Sequence, residues 1–278
     1  MLNGSSLSVG ISFYIFFILN MKKASRNHLR LLLFYHLQTV LMPTPSSEIV
    51  TMTLLRYTGP AARWWAFTQM GLGPGRFRGV AGLQTAKMLG SGAGNGFSIL
   101  PNLGVYALLG VWTDEAAART FFATHPWWAA ARRRSVEQYT VFMRTAVVHG
   151  EWGGKNPFQT TTEFVATQPV AVITRATIKL RHLFGFWRFV PSVSAFVKDR
   201  PGQLLSIGVG EWPLFMQATF SVWTSAEAMM DYAYRNPHHQ EVIRKTRELG
   251  WYQEELFARF HPYASAGSWA GGDHQFNH

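Results

Sequence analysis

The 278-residue chain reads as an α+β fold in which two tandem ferredoxin-like βαββαβ units form one α+β barrel. Two observations carry that reading. The same order of strand-like alternation and helical periodicity occurs twice between residues 48 and 263. The copies also match without gaps through their longest helical region: Val111-Trp112-Thr113 falls on Val222-Trp223-Thr224, Ala117 on Ala228, Pro126 on Pro237 and Arg133 on Arg244.

In the first unit, residues 48–150, strands are expected at Ile49 to Tyr57, Leu83 to Gly90, Val105 to Trp112 and Tyr139 to Val148. A short helix spans Ala61 to Gly71, and a long helical region begins at Asp114 and is broken by Pro126. The second unit, residues 170–263, repeats this order, with strands at Val170 to Ile178, Leu204 to Val209, Phe215 to Val222 and Leu256 to Phe260. Its helices lie around Leu183 to Phe189 and from Ser225, broken at Pro237. Residues 151–169, rich in Gly and Thr, form the linker, and residues 264–278, rich in Gly, Ser and Ala, are expected to be a flexible tail. Two such units pair their sheets face to face with helices outside, which places a ligand cavity between sheet and helices.

Residues 1–47 stand apart. The run Ile11 to Leu19 is short for a bilayer span, and Lys22 and Lys23 follow it rather than precede it, so it lacks the pattern of a secretory signal. The expectation is a non-native or disordered extension, with translation from Met42 sufficient for the fold; a membrane anchor is the alternative. The chain has no cysteine, which excludes disulfides, thiolate catalysis, iron–sulfur clusters and covalent haem attachment. A net charge of +11 points to an anionic partner, and 11 Trp with 21 Phe suit a large flat or greasy ligand.

The segment Asn236-Pro237-His238-His239 opens a helix: Asn is a good N-cap and Pro suits the first turn. At helical spacing His239, Val242, Ile243 and Thr246 share one face, so one histidine of the pair turns inward. That imidazole is either an iron or metal ligand or a satisfied core histidine. Trp128 holds the matching slot in the first unit, so one copy keeps an indole where the other puts an imidazole. Along Val170 to Ile178, Arg175 and Thr177 share a face that continues to Lys179 and Arg181. That face is either a solvated edge or one that points Arg175 into the cavity, as an anchor for a carboxylate or a donor to bound oxygen. The segments Gly90 to Gly96 and Gly208-Val209-Gly210 lack the context of a phosphate or dinucleotide loop and fit bulges or close backbone approach to a ligand. There is no helix-turn-helix pattern before the first unit, so nucleic acid is not an expected partner.

Several segments together resemble the spheroidene monooxygenase family. They are Trp65-Ala66-Phe67-Thr68-Gln69-Met70-Gly71, Gly90-Ser91-Gly92-Ala93-Gly94-Asn95-Gly96-Phe97, Thr174-Arg175-Ala176-Thr177-Ile178, Phe186-Trp187-Arg188-Phe189-Val190-Pro191, Ile207-Gly208-Val209-Gly210-Glu211-Trp212-Pro213 and Gly250-Trp251-Tyr252-Gln253-Glu254-Glu255-Leu256-Phe257-Ala258-Arg259-Phe260. The resemblance covers residues 48–263 and implies an enzyme that uses haem b, O2 and reduced ferredoxin to introduce a 2-keto group into acyclic carotenoids. It implies His239 as the haem iron ligand, with His238, then His125, His149 and His182, as fallbacks, and Arg175 as a catalytic and cofactor-binding residue. It further implies a cytoplasmic protein held peripherally at the inner face of a bacterial membrane. The alternative is a non-catalytic barrel that binds haem or lipid.

Overall fold

The structure, a computed structural model, describes residues 47–72, 74–93, 98, 100–194, 201–212, 215–235, 244, 248–272 and 275–276. The expectations for the N-terminal extension and for a start at Met42 concern residues outside these.

The first unit contributes β1 (Ile49–Tyr57), α1 (Pro60–Leu72), β2 (Leu83–Gly92), β3 (Pro101–Trp112), α2 (Glu115–Thr124), α3 (Pro126–Arg134) and β4 (Ser135–Gly150). The second contributes β5 (Val170–Ile178), α4 (Leu183–Ser194), β6 (Gln203–Trp212), β7 (Met216–Trp223), α5 (Ala226–Arg235) and β8 (Tyr252–Gly267). All eight strands close into one antiparallel barrel in the order β1-β3-β2-β6-β7-β5-β8-β4. Equivalent strands join the units, β2 to β6 and β4 to β8, as a two-fold relation requires. The two glycine segments meet at the first of these joins, where Gly90 pairs with Gly210.

Local chemistry sets the element ends. Asp114 caps α2 by accepting the Ala117 N–H at 2.8 Å, and the chain then breaks at Pro126, whose missing N–H suits the first turn of α3. Gly150 and Gly267 end the two longest strands with φ of 86° each, a left-handed turn that a side chain would block by colliding with the carbonyl oxygens of Glu255 and Gln138 respectively. The same turn is thus built twice, 117 residues apart.

Among the described residues beyond Gly267, Trp269 and Phe276 are packed into the core, which corrects the expectation of a flexible tail there. Strand β8 continues past Ala264 to Gly267 against β4, and Trp269 and Phe276 are only 7% and 4% exposed within the cluster that fills the barrel. The cause is repetition: Gly267-Ser268-Trp269 copies Gly150-Glu151-Trp152, and Trp152 and Phe158 of the linker enter the same cluster from the first copy. Even the backbone contacts match, with Glu151 N–H donating to Glu255 O at 2.8 Å and Ser268 N–H to Gln138 O at 3.0 Å. His261 fastens the linker to β8: its Nε2 accepts the Val165 N–H and its Nδ1 donates to the Pro169 carbonyl, both at 2.9 Å. With both nitrogens used by backbone, it is a satisfied core histidine.

Candidate functional site

The barrel has two sides for each strand, and the inner one is filled. Inside, Val50, Met52, Leu54, Ala107, Leu109, Ile173, Ile207 and Phe220 belong to one continuous cluster of buried side chains. On β5 the odd positions Ala171 and Ile173 point into that cluster, and Arg175 follows them. Its guanidinium, 2% exposed, is ion-paired with Glu254 and lies over the Trp152 ring at 5.7 Å. Trp152 is held in turn by Glu211, which accepts its indole N–H at 2.6 Å and pairs with Lys87 at 2.9 Å. Arg175 therefore belongs to the stopper at one barrel end, and the expectation that it faces a sheet–helix cavity is corrected. The strand period was right, but residues 170–173 are buried on both faces, so alternation alone assigned it to the wrong one.

Glu254 is set by competing effects. Burial pushes its carboxyl up, but the N–H groups of Gly153 and Gly154 and the Arg175 guanidinium outweigh this and hold it below its ordinary 4.5. A depressed carboxylate stabilises the fold above that pH, and the contribution is lost as pH falls through the folded-state value. Glu254→Ala, which strands the buried Arg175, is expected to cost about 3–5 kcal/mol in urea unfolding. The paired change Arg175→Met with Glu254→Gln should recover most of that stability and keep enzymatic turnover. Loss of turnover in a stable double variant would return Arg175 to the active site.

The outer faces of the two half-sheets differ sharply. In the first unit the row Met88, Leu108, Thr53 and the row Gly90, Tyr106, Leu55 are read directly from the strand register. Met88, Leu108, Tyr106 and Leu55 are 7%, 3%, 3% and 0% exposed, packed with Ala66, Phe121 and Trp127 of the helices. The equivalent rows of the second unit are Gly208, Thr219, Thr174 and Gly210, Gln217, Ala176, with Ser206, Ser221 and Val172 beside them. Four bulky side chains have become Gly, Thr, Gln and Ala. Thr174 is exposed, and Ser206, Gly210, Gln217, Thr219 and Ser221 are half-buried. The second unit thus presents a floor of small and polar groups where the first is filled with hydrocarbon. At one margin, Arg259 pairs across from Val172, sits 5.3 Å and 5.0 Å from the Phe164 and Phe257 rings, and buries an Nε with no hydrogen-bond partner.

The expected ligands His239 and His238 lie outside the described residues. The first-unit counterpart of His239 is described: Trp128 is 8% exposed and packs on the sheet's outer face with Phe122 and Phe142. The fallback histidines are not brought together. His125 caps α3 by accepting the Trp127 N–H at 3.3 Å and stacks on Phe121, and burial lowers its pKa from 6.5. His149 is exposed on β4, and His182 accepts from Arg181 Nε at 3.0 Å. Among the described residues no three His, Cys, Asp or Glu converge to hold a metal.

Over 227 residues the chain is 36% identical to the spheroidene monooxygenase of Rhodobacter capsulatus, matching 81% of this chain and 94% of that protein. This chain belongs to the spheroidene monooxygenase family. The spheroidene monooxygenase of Rubrivivax gelatinosus is 33% identical over 228 residues, 82% of this chain and 88% of that protein. As a spheroidene monooxygenase family member the chain is an oxidoreductase, which sets aside the alternative of a non-catalytic barrel. Among solved structures an aldoxime dehydratase superposes with a TM-score of 0.56 at 14% identity, over 79% of this chain and 83% of that one, a likeness of fold. No family model matches the chain.

Proposed function

We propose that this protein is a haem-dependent monooxygenase that introduces a 2-keto group into spheroidene-type acyclic carotenoids, using O2 and electrons from reduced ferredoxin. The observation that carries the cofactor is the floor of small and polar side chains in the second unit, set against the bulky counterpart of the first. Three adjacent strands at about 4.8 Å spacing span roughly 10 Å, the scale of a flat macrocycle. The relatives' name supplies the substrate class and the reaction.

Haem b, when bound, supplies the activation of O2. His239 would hold the iron, with His238 as fallback: in sequence Pro237 matches Pro126, which starts α3, and Trp128, the match of His239, rests on the sheet. Arg259, across from Val172 beside the floor, would neutralise a carboxylate at its margin, whereas Arg175 is ion-paired with Glu254 at the barrel end. Gly208, Thr219 and Thr174 let the ligand approach the strands closely. The net charge of +11 suits an acidic ferredoxin and the anionic inner face of a bacterial membrane.

Haem reconstitution followed by absorption spectroscopy tests the cofactor, and co-expression with a spheroidene-producing pathway tests the substrate. The wild type is expected to show a Soret band and a new ketocarotenoid. His239→Ala is expected to lose the band, with ketocarotenoid yield falling by roughly 100-fold or more, beyond the ~10–100-fold typical of lost metal-supporting groups. No band in the wild type defeats the haem; a band and product in His239→Ala defeat the ligand.

A further inference from the structure

The first unit carries a surface that neither the floor nor the barrel explains. On α1, Trp64 and Phe67 point outward, 67% and 49% exposed, with their rings 5.9 Å apart. Leu72 at the end of the helix and Leu103 at the start of β3 are 52% and 47% exposed. Arg63 ties these together, because its Nε lies 3.4 Å from where a Cβ of Gly104 would stand. Burial gives no reason for this set: the inward face of α1 already uses Trp65, Ala66 and Gln69 against the sheet and α3.

Charge decides what such a surface meets. From Ile49 to Thr113 the chain has no Asp or Glu, and from Ala116 to Val136 it again has none. Within these stretches Arg63, Arg76, Arg78, Arg132 and Arg133 are exposed. The helix α3 that carries the last two packs directly on α1, with Trp65 and Trp127 at 6.3 Å between ring centres and Trp127 Nε1 donating to Gln69 at 3.1 Å. Exposed indole and phenyl groups on stretches whose exposed charges are arginines, with no carboxylate in them, match the boundary between lipid headgroups and acyl chains. No helix among the described residues is long and apolar enough to cross a bilayer, so the contact is one of surface insertion.

We propose that α1 is the membrane-inserting element of this protein, with Trp64 and Phe67 entering an anionic bilayer and Arg76 and Arg78 on its phosphates. The proposal deepens the reading of a membrane-borne carotenoid substrate, yet its test requires neither haem nor turnover.

Vesicle flotation of the full chain, with phosphatidylcholine alone or mixed with phosphatidylglycerol, reads it directly. The wild type is expected to float with the mixed vesicles and far less with the neutral ones. Trp64→Ser with Phe67→Ser is expected to weaken flotation by about tenfold or more. Arg76→Glu with Arg78→Glu is expected to weaken it by at least about 20-fold, near fivefold for each lost arginine. Phe184→Ser, at the 82% exposed aromatic of α4, should change nothing. Unaltered thermal melting shows that these exposed positions leave the fold intact. A wild type that binds neither vesicle overturns the proposal, as does a serine double variant that floats normally. If the serine variant floats normally but no longer cross-links to reduced ferredoxin, α1 is a protein-docking face and the proposal also falls. Ketocarotenoid formation in cells by a protein that fails to float would leave the proposed reaction standing and remove only the membrane contact.

Discussion

Refilling the floor with the side chains of its sister copy, Gly208→Met together with Thr219→Leu, is expected to abolish cofactor binding while leaving the barrel folded. Met88 and Leu108 already occupy the equivalent positions in the first unit at 7% and 3% exposure, so the geometry tolerates such a pair between sheet and helix. Gly208 has no left-handed φ that would forbid a side chain. The added side chains are themselves apolar, so where they become buried the apoprotein should melt at the same temperature or higher, with up to roughly 1.5–3 kcal/mol gained per fully buried side chain. Absorption after haem reconstitution should lose its Soret band, and ketocarotenoid yield should fall by about 100-fold or more, as for loss of a whole binding site. The two readouts must diverge. A variant that is both stable and active places the chemistry elsewhere, while one that merely unfolds is diagnosed by its melting curve and replaced by Thr219→Leu alone.

The second large effect concerns the barrel ends. Trp152→Ala and Trp269→Ala are each expected to cost about 3–5 kcal/mol in urea unfolding, the range for emptying a buried aromatic site. Trp269 also loses the Arg56 guanidinium 4.5 Å above its ring, and Trp152→Ala leaves Glu211 without the indole donor that now approaches at 2.6 Å. Truncation after Gly267 should be at least as harmful, because Phe276 leaves the core together with Trp269. Equal stability of the truncated and full-length chains would show that the last residues are dispensable after all.

Much of the fold could be read before any coordinates. The bounds of β1 and β5 match their apolar runs to the residue, since continuous Ile, Val, Thr and Leu stretches end abruptly at turn-forming neighbours. The duplication was legible because Thr113, Ala117 and Pro126 recur at fixed distance as Thr224, Ala228 and Pro237. The second part of β8 was missed: Pro262-Tyr263-Ala264-Ser265-Ala266 has the local character of a loop and is a strand because β4 of the other unit pairs with it. The repeated Gly-x-Trp at the end of each long strand, at Gly150 and again at Gly267, was the available signal. The candidate site was harder still. Arg175 and Arg259 both sit on strands among apolar neighbours, and only the closed ring shows that one faces the barrel interior and the other the helices. The floor is a contrast between two units, and it emerges when the register aligns Met88 with Gly208 and Leu108 with Thr219.

Strands β1 and β5 run in opposite directions around the ring, so Trp269 beside Arg56 and Trp152 beside Arg175 close opposite ends of the barrel. Each is delivered by the arm that leaves its own unit's last strand. Two identical half-length chains meeting about a dyad would have sealed both openings with the arms they already possessed. Joining two such copies would require only that one arm run onward into the next, leaving one unit free to carry small residues while the other holds the shape.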